Sequence, residues 1–193
     1  MKTRHTTLAA LALGLILLGG CAAQAAPPIA GQPAASPAES SAATPPASPA
    51  ETPPAAAAMV CSAEAKDSVT KILGLAGEPT TAHSWDGSRY SCNYTLADGP
   101  FQMSVQVLPG DAAANSRAKA LAGSLNAQAI KGLSNLGLPG YQTTEGAVVF
   151  AKDNMVLHVD ATKMATSLGQ NHISRSDFAY QIATTILACW SEH

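Results

Sequence analysis

Alternating apolar and polar residues predict two β-hairpins in the C-terminal part of the chain. The first hairpin turns at Asp98-Gly99 and the second at Asp153-Asn154, and both dipeptides contain residues that favour turns. The predicted strands are residues 90–96 and 101–107 in the first hairpin, and residues 147–152 and 155–161 in the second.

Three segments with the 3.6-residue apolar period of a helix surround these hairpins. Ser62 caps the first predicted helix, Asp111 caps the second, and Ser174 opens a capping box for the third. Hairpins that alternate with helices are typical of an antiparallel sheet covered by helices. We therefore predict one α+β domain over residues 59–193, with element order αββαββα. It has an antiparallel sheet of about four to five strands, with the helices packed on one face.

The N-terminal residues have the layout of a bacterial lipoprotein signal. Two basic residues precede an apolar stretch over residues 8–18, which is shorter than the roughly 20 residues that cross a membrane. The tetrapeptide LGGC at residues 18–21 resembles a lipobox, in which diacylglycerol is attached to the cysteine and the chain is cut before it. We predict a signal peptide over residues 1–20 and lipidation of Cys21. The alternative is an ordinary secretory signal with an incidental cysteine.

Residues 21–58 are predicted to be a disordered, lipid-anchored spacer. Of the 37 residues from 22 to 58, 16 are alanine, 9 are proline and none is aromatic. Such a segment buries too little apolar surface to offset the entropy of ordering. Its prolines favour an extended chain, so the spacer is expected to hold the folded domain away from the membrane.

Composition and charge argue against a nucleic-acid-binding protein. Charged residues make up 12% of the chain, and the formal net charge is −2. The sequence contains no basic block of the kind that phosphate-backbone binding requires. All nine aromatic residues follow residue 58, which indicates that the core lies in this part of the chain.

The four cysteines allow at most one internal disulfide, because Cys21 is assigned to the lipid. Export favours oxidation of the remaining three. Cys61–Cys92 is the first choice, since it would attach the start of the first helix to the sheet. Cys61–Cys189 is the alternative, and it would join the two ends of the domain.

Candidate catalytic and metal-binding residues are sparse. His158 and Asp160 occupy neighbouring outward positions of one strand, and a metal site there would need a further ligand from His83, Asp86 or His172. A solvated strand face explains the pair without a metal. The chain has no GxSxG motif and no glycine-rich phosphate-binding motif. We therefore predict no catalytic residue, no metal and no cofactor.

The whole domain resembles a group of actinobacterial cell-envelope lipoproteins. Short stretches in a fixed order carry the resemblance: Trp85, RYSCNY at 89–94, VVFAKD at 148–153, VLHVD at 156–160, Arg175, and the terminal Cys189-Trp190. The resemblance implies an anchored, extracytoplasmic α+β domain and brings no established activity with it.

These features predict a lipid-anchored protein on the extracytoplasmic face of the cell membrane. Its domain is expected to be a non-enzymatic binding module for an envelope partner or ligand. One alternative is a carrier of a hydrophobic ligand in a cleft between helices and sheet. A second alternative is an envelope enzyme of unknown reaction.

Overall fold

The alternating segments form one large antiparallel sheet in the computed structural model, which describes residues 52–132 and 138–190. Within these residues the sheet has seven strands in the order β1-β2-β3-β7-β6-β5-β4. The strands are β1 (Thr80–Trp85), β2 (Arg89–Thr95), β3 (Phe101–Val107), β4 (Gln128–Ala129), β5 (Gly140–Gln142), β6 (Ala147–Lys152) and β7 (Met155–Asp160). A separate two-stranded ribbon pairs β8 (Ser167–Leu168) with β9 (Ile173–Ser174).

Helices pack on both sides of this sheet. The described helices are α1 (Ala55–Ala58), a 3₁₀ turn (Met59–Cys61), α2 (Ala63–Leu73), α3 (Asp111–Ser124) and α4 (Arg175–Trp190). The larger core lies between the inner face of the sheet and α1, α2 and α4, and α3 packs on the outer face over β5, β6 and β7. Among the described residues, no helix is both long and apolar enough to cross a membrane.

The α+β class and the two predicted hairpins are confirmed. They correspond to β2–β3 and β6–β7, and antiparallel pairing of β3 with β7 joins them into one sheet. This pairing places Ser104 directly opposite His158 on the outer face. The predicted caps also hold at two helices, since the Ser62 hydroxyl accepts from the amide of Ala65 and the Ser174 hydroxyl from that of Asp177. Helix α3 begins at Asp111, but Gly110 is its N-cap.

The predicted count of four to five strands and the order αββαββα are wrong. The segment Thr80–Trp85 was not predicted as a strand because its side chains are mostly exposed and show no apolar alternation. It forms an edge strand that pairs only with β2 among the described strands. The short strands β4 and β5 and the β8–β9 ribbon have two or three residues each, too few for a periodic pattern.

The prediction that all helices lie on one face is also wrong. In β6, the residues Val148, Val149, Phe150 and Ala151 are all buried, although alternate residues of a strand face opposite sides. Both faces of this strand therefore need apolar cover, as in strands at the centre of a three-layer sandwich. Helix α3 covers the outer face, where its buried residue Ala118 belongs to the same cluster as Val149.

The folded region begins before Met59, which was the predicted boundary with the spacer. Ala57 in α1 is fully buried, and the indole Nε1 of Trp190 donates to the carbonyl oxygen of Ala56 at 2.9 Å. The Tyr94 hydroxyl donates to the carbonyl of Val60 at 2.6 Å. Small alanine side chains let this segment approach the sheet closely, so part of the predicted spacer belongs to the core.

Candidate functional site

The outer side of the sheet divides into a covered half and an open half. Helix α3 covers β5–β7, whereas no described helix lies over the outward side of β1 and β2. We call the uncovered part the open face. It carries almost only polar side chains, for example the amide pair in which Gln102 Nε2 donates to Asn93 Oδ1 at 2.7 Å. Its members are Thr80, Ala82, Ser84, Ser91, Asn93, Thr95 and Gln102.

A cavity of about 240 Å³ lies where the open face meets α3. Side chains of β2, β3, β7 and α3 form its wall, so it exists only because these separate elements meet at this edge. Most of the wall is polar, although Leu121 and Val156 contribute apolar surface. We call it the arginine cavity, and its lining residues are Arg89, Ser104, Gln106, Arg117, Leu121, Val156 and His158.

Two arginines are held in the cavity by one neutral side chain. Gln106 Oε1 accepts from Arg117 Nε at 2.8 Å and from an Arg89 terminal nitrogen at 3.3 Å. Arg89 reaches this position because it lies opposite Gln106 in the β2–β3 register, whereas Arg117 comes from the α3 turn above. These two bonds use one of the five N–H donors that each guanidinium carries.

Within the part of the chain that the structure describes, neither cavity arginine forms an ion pair with a carboxylate. The ion pairs among the described residues are Lys66–Glu78, Lys71–Asp67 and Lys152–Asp153, none of which includes an arginine. Arg175, by contrast, donates to backbone carbonyls and serves the packing of α4. The lining of the cavity therefore holds two positive charges and no acidic side chain. Asp86 beside Arg89 and Asp160 beside His158 lie outside the lining but close enough to interact electrostatically with these residues.

His158 shares the cavity with these arginines. It lies outward on β7, as predicted, but the interpretation of a solvated strand face is wrong for it because α3 covers this part of the sheet. Its Nε2 is buried and has no hydrogen-bond partner among the described residues. Burial lowers the pKa of His158; the nearby Asp160 opposes this, while Arg89 and Arg117 add to the lowering. Burial therefore favours the neutral form of the imidazole.

The other candidate metal ligands do not join His158. Asp160 Oδ1 is engaged by the amide and the hydroxyl of Thr162 at 3.0 and 2.6 Å. His83 lies on the inner face and stacks on Tyr90, and Asp86 caps the β1–β2 turn. In the part of the chain that the structure describes, no three histidine, cysteine or acidic side chains come together as a metal site.

The first-choice disulfide is confirmed. Cys61 and Cys92 are bonded, with their Cα atoms 5.5 Å apart, and the bond attaches the 3₁₀ turn to β2. Cys189 carries a free thiol and is half-buried, so the alternative pairing Cys61–Cys189 is not formed. The predicted signal peptide and lipidated Cys21 lie outside the described residues, as do residues 21–51 of the predicted spacer.

Sequence reasoning missed the four polar residues that make up the cavity with His158. Arg89 and Gln106 were visible as outward strand positions, but Arg117 could not be assigned to their neighbourhood without knowing that α3 covers the outer face. Ser104 is only 7% exposed in the structure and lies opposite His158, but in the sequence it occupies a polar position of the β3 alternation, so the pattern did not indicate its burial.

Comparison with known proteins adds no family or activity. No family model, no curated protein and no solved structure matches the chain. The resemblance to actinobacterial lipoproteins therefore stays a prediction.

Proposed function

We propose that this protein is a lipid-anchored binding module on the extracytoplasmic face of the cell membrane, and that its open face binds an anionic partner of the cell envelope. The lipobox at residues 18–21 supports the location, and the alanine- and proline-rich spacer supports reach away from the membrane. Helix-free polar strands next to the arginine cavity support the binding role.

The observation that carries the proposal is that Arg89 and Arg117 line one cavity and that neither forms an ion pair with a carboxylate among the described residues. A half-buried guanidinium without a carboxylate partner is costly to desolvate, and a folded protein usually compensates this cost with an ion pair or hydrogen bonds. Here a single neutral amide, that of Gln106, serves both arginines. An anionic group from a partner would supply the compensation and gain charge-assisted hydrogen bonds.

The proposal assigns binding rather than catalysis to this site. Nucleophilic catalysis requires a base within hydrogen-bond distance of its nucleophile. Ser104 and His158 are cross-strand neighbours, but His158 Nε2 has no hydrogen bond to Ser104 or to any other described residue.

The helix–sheet interface favours this binding module over a hydrophobic carrier. The space between the inner face and the helices is filled by large side chains such as Phe150, Phe178 and Leu157, each with no exposed surface. A carrier would need that space for its ligand. The polar cavity on the opposite side of the sheet is suited to an ion instead.

The location is tested by metabolic labelling with palmitate. The wild-type protein is expected to incorporate label and to fractionate with membranes, whereas Cys21→Ala does neither. Equal labelling of the two proteins would refute lipidation at this cysteine.

The binding surface is tested by photo-crosslinking in living cells. A photoreactive residue at exposed Asn93 is expected to form a discrete adduct, identified by mass spectrometry, which weakens when Arg117→Gln is added. The same residue at Lys71, on α2 behind the sheet, is the matched control and is expected to form no such adduct. Equal yields at both positions, or no effect of Arg117→Gln, would show that the open face is not the binding surface.

A further inference from the structure

We propose that the arginine cavity is a phosphate-binding site, and that the anionic group recognised by this protein is a phosphate, either free or as a phosphomonoester. This inference rests on the proposed function and deepens it, because it names the chemical class of the ligand and the side chains that bind it.

The donors of the cavity come from several directions. Arg89 reaches the cavity from β2 in the sheet and Arg117 from α3 on the opposite wall. Ser104 and His158 line it from β3 and β7. A carboxylate offers two acceptor oxygens in one plane, which a single guanidinium fork satisfies. A phosphate offers three or four oxygens in a tetrahedral arrangement, so it can use both forks and the hydroxyl together.

The size of the cavity sets how much of a ligand it can hold. Its volume of about 240 Å³ is below the roughly 300–1,000 Å³ of pockets that enclose whole drug-sized molecules. It therefore accommodates a phosphate group and leaves the rest of a phosphomonoester outside, along the open face. Arg89 and Arg117 are both half-buried rather than enclosed, so the group can enter from solvent.

His158 lies against the cavity, and its ring carries a polar atom without a partner among the described residues. Its buried Nε2 has no hydrogen bond among the described residues, which is costly in a folded protein. The charged groups around the ring are Arg89 on β2, Arg117 on α3 and Asp160 on β7 itself. A bound phosphate offsets the charge of the two arginines, so it favours protonation of the imidazole, which then attracts the anion through its charge.

Calorimetric titration of the purified protein with inorganic phosphate tests the site. Saturable binding at a ratio of one is expected, with affinity about ten-fold or more weaker in Arg117→Gln because charge-assisted hydrogen bonds are lost. Lys119→Gln removes the same charge from an exposed position on the same helix and is expected to bind as the wild type does. No saturable binding, or equal losses in the two variants, would overturn the proposal.

One further variant and a denaturation measurement control for a folding defect. Arg117→Lys keeps the charge without the planar fork, and an affinity between those of the wild type and Arg117→Gln is expected. The denaturation midpoint of each variant shows whether it is folded. Wild-type affinity in a folded Arg117→Gln protein contradicts the site regardless of the other results.

The choice of titrant separates the sources of the phosphate. Glycerol 3-phosphate carries the monoester group of a lipid headgroup, and tighter binding than inorganic phosphate would indicate an ester ligand. The reverse order would indicate free phosphate. Acetate is expected to bind at least ten-fold more weakly than either, and equal binding of acetate would contradict the preference for phosphate.

The calorimetric titration and the crosslinking experiment test the phosphate site and the binding module separately. Absence of phosphate binding with an Arg117-dependent adduct at Asn93 would remove the phosphate site but leave the binding module. Phosphate binding without any adduct would remove the proposed envelope partner but leave the site. Steady release of inorganic phosphate from glycerol 3-phosphate would contradict the assignment of binding without catalysis.

Discussion

Reduction of the Cys61–Cys92 disulfide is expected to destabilise the domain strongly. The two cysteines are 31 residues apart. Closing a loop of this length in the unfolded chain costs conformational entropy equivalent to about 4 kcal/mol at 25 °C. This is a large part of the roughly 5–15 kcal/mol that stabilises a typical domain. The bond also fixes the 3₁₀ turn, which Tyr94 holds from β2 through its bond to the Val60 carbonyl.

Urea denaturation with and without a reductant measures this contribution. With a slope of about 2 kcal/mol per molar urea, the midpoint is expected to fall by roughly 2 M on reduction. Cys189→Ala should show the same response, because it keeps the disulfide, whereas a Cys61→Ala, Cys92→Ala double variant should not respond to reductant. Identical midpoints for oxidised and reduced wild-type protein would refute the entropic reasoning and the pairing.

Three other predictions follow from the packing and the pKa of His158. Gly169→Ala is expected to destabilise the domain by more than about 2 kcal/mol, because the added Cβ would lie against the Leu73 carbonyl at a backbone φ of 61°. Gly123→Ala in helix α3 adds a Cβ that meets nothing within 4 Å, so it is expected to stabilise the domain by about 0.5–1 kcal/mol. Equal denaturation midpoints for the two variants would contradict this. Tyr94→Phe leaves the buried Val60 carbonyl without its donor and is expected to lower the free energy of unfolding by about 1–3 kcal/mol. The Tyr180 hydroxyl has no hydrogen bond among the described residues, so Tyr180→Phe should lower it by less than half as much in the same assay. The pKa of His158 is lowered from 6.5 in the folded protein, so the unfolded chain binds more protons as the pH falls below about 6.5, and the free energy of unfolding decreases there. This decrease between pH 7.5 and 5.5 should be smaller in His158→Asn and unchanged in His172→Asn.

The parts of the fold that sequence patterns predicted are those with a local cause. Turn dipeptides and apolar alternation define β2–β3 and β6–β7, and Ser62 and Ser174 cap their helices through bonds within three residues. Strand β1 has no such cause, because an edge strand with few buried side chains is stabilised mainly by its backbone bonds to β2.

The side of the sheet on which α3 packs is determined by tertiary packing and not by the local sequence. The buried run Val148–Ala151 was available as a signal that β6 needs cover on both faces, although it does not identify the covering helix. Packing of α3 on the outer face also forms the arginine cavity, since it brings Arg117 to Gln106 and covers the side of the sheet on which His158 Nε2 is buried. The disulfide was predictable as a first choice because Cys92 faces inward beside the start of the first helix.

An NMR titration with inorganic phosphate at pH 6 locates the anion in the molecule. If the arginine cavity is the site, the imidazole of His158 and the guanidinium Nε signals of Arg89 and Arg117 shift together along one saturating curve. The His158 ring also takes up a proton as phosphate binds, and amides on the exposed side of α2 do not move. Weak, non-saturating shifts spread over the exposed lysines, with His158 unchanged, would contradict the proposed site.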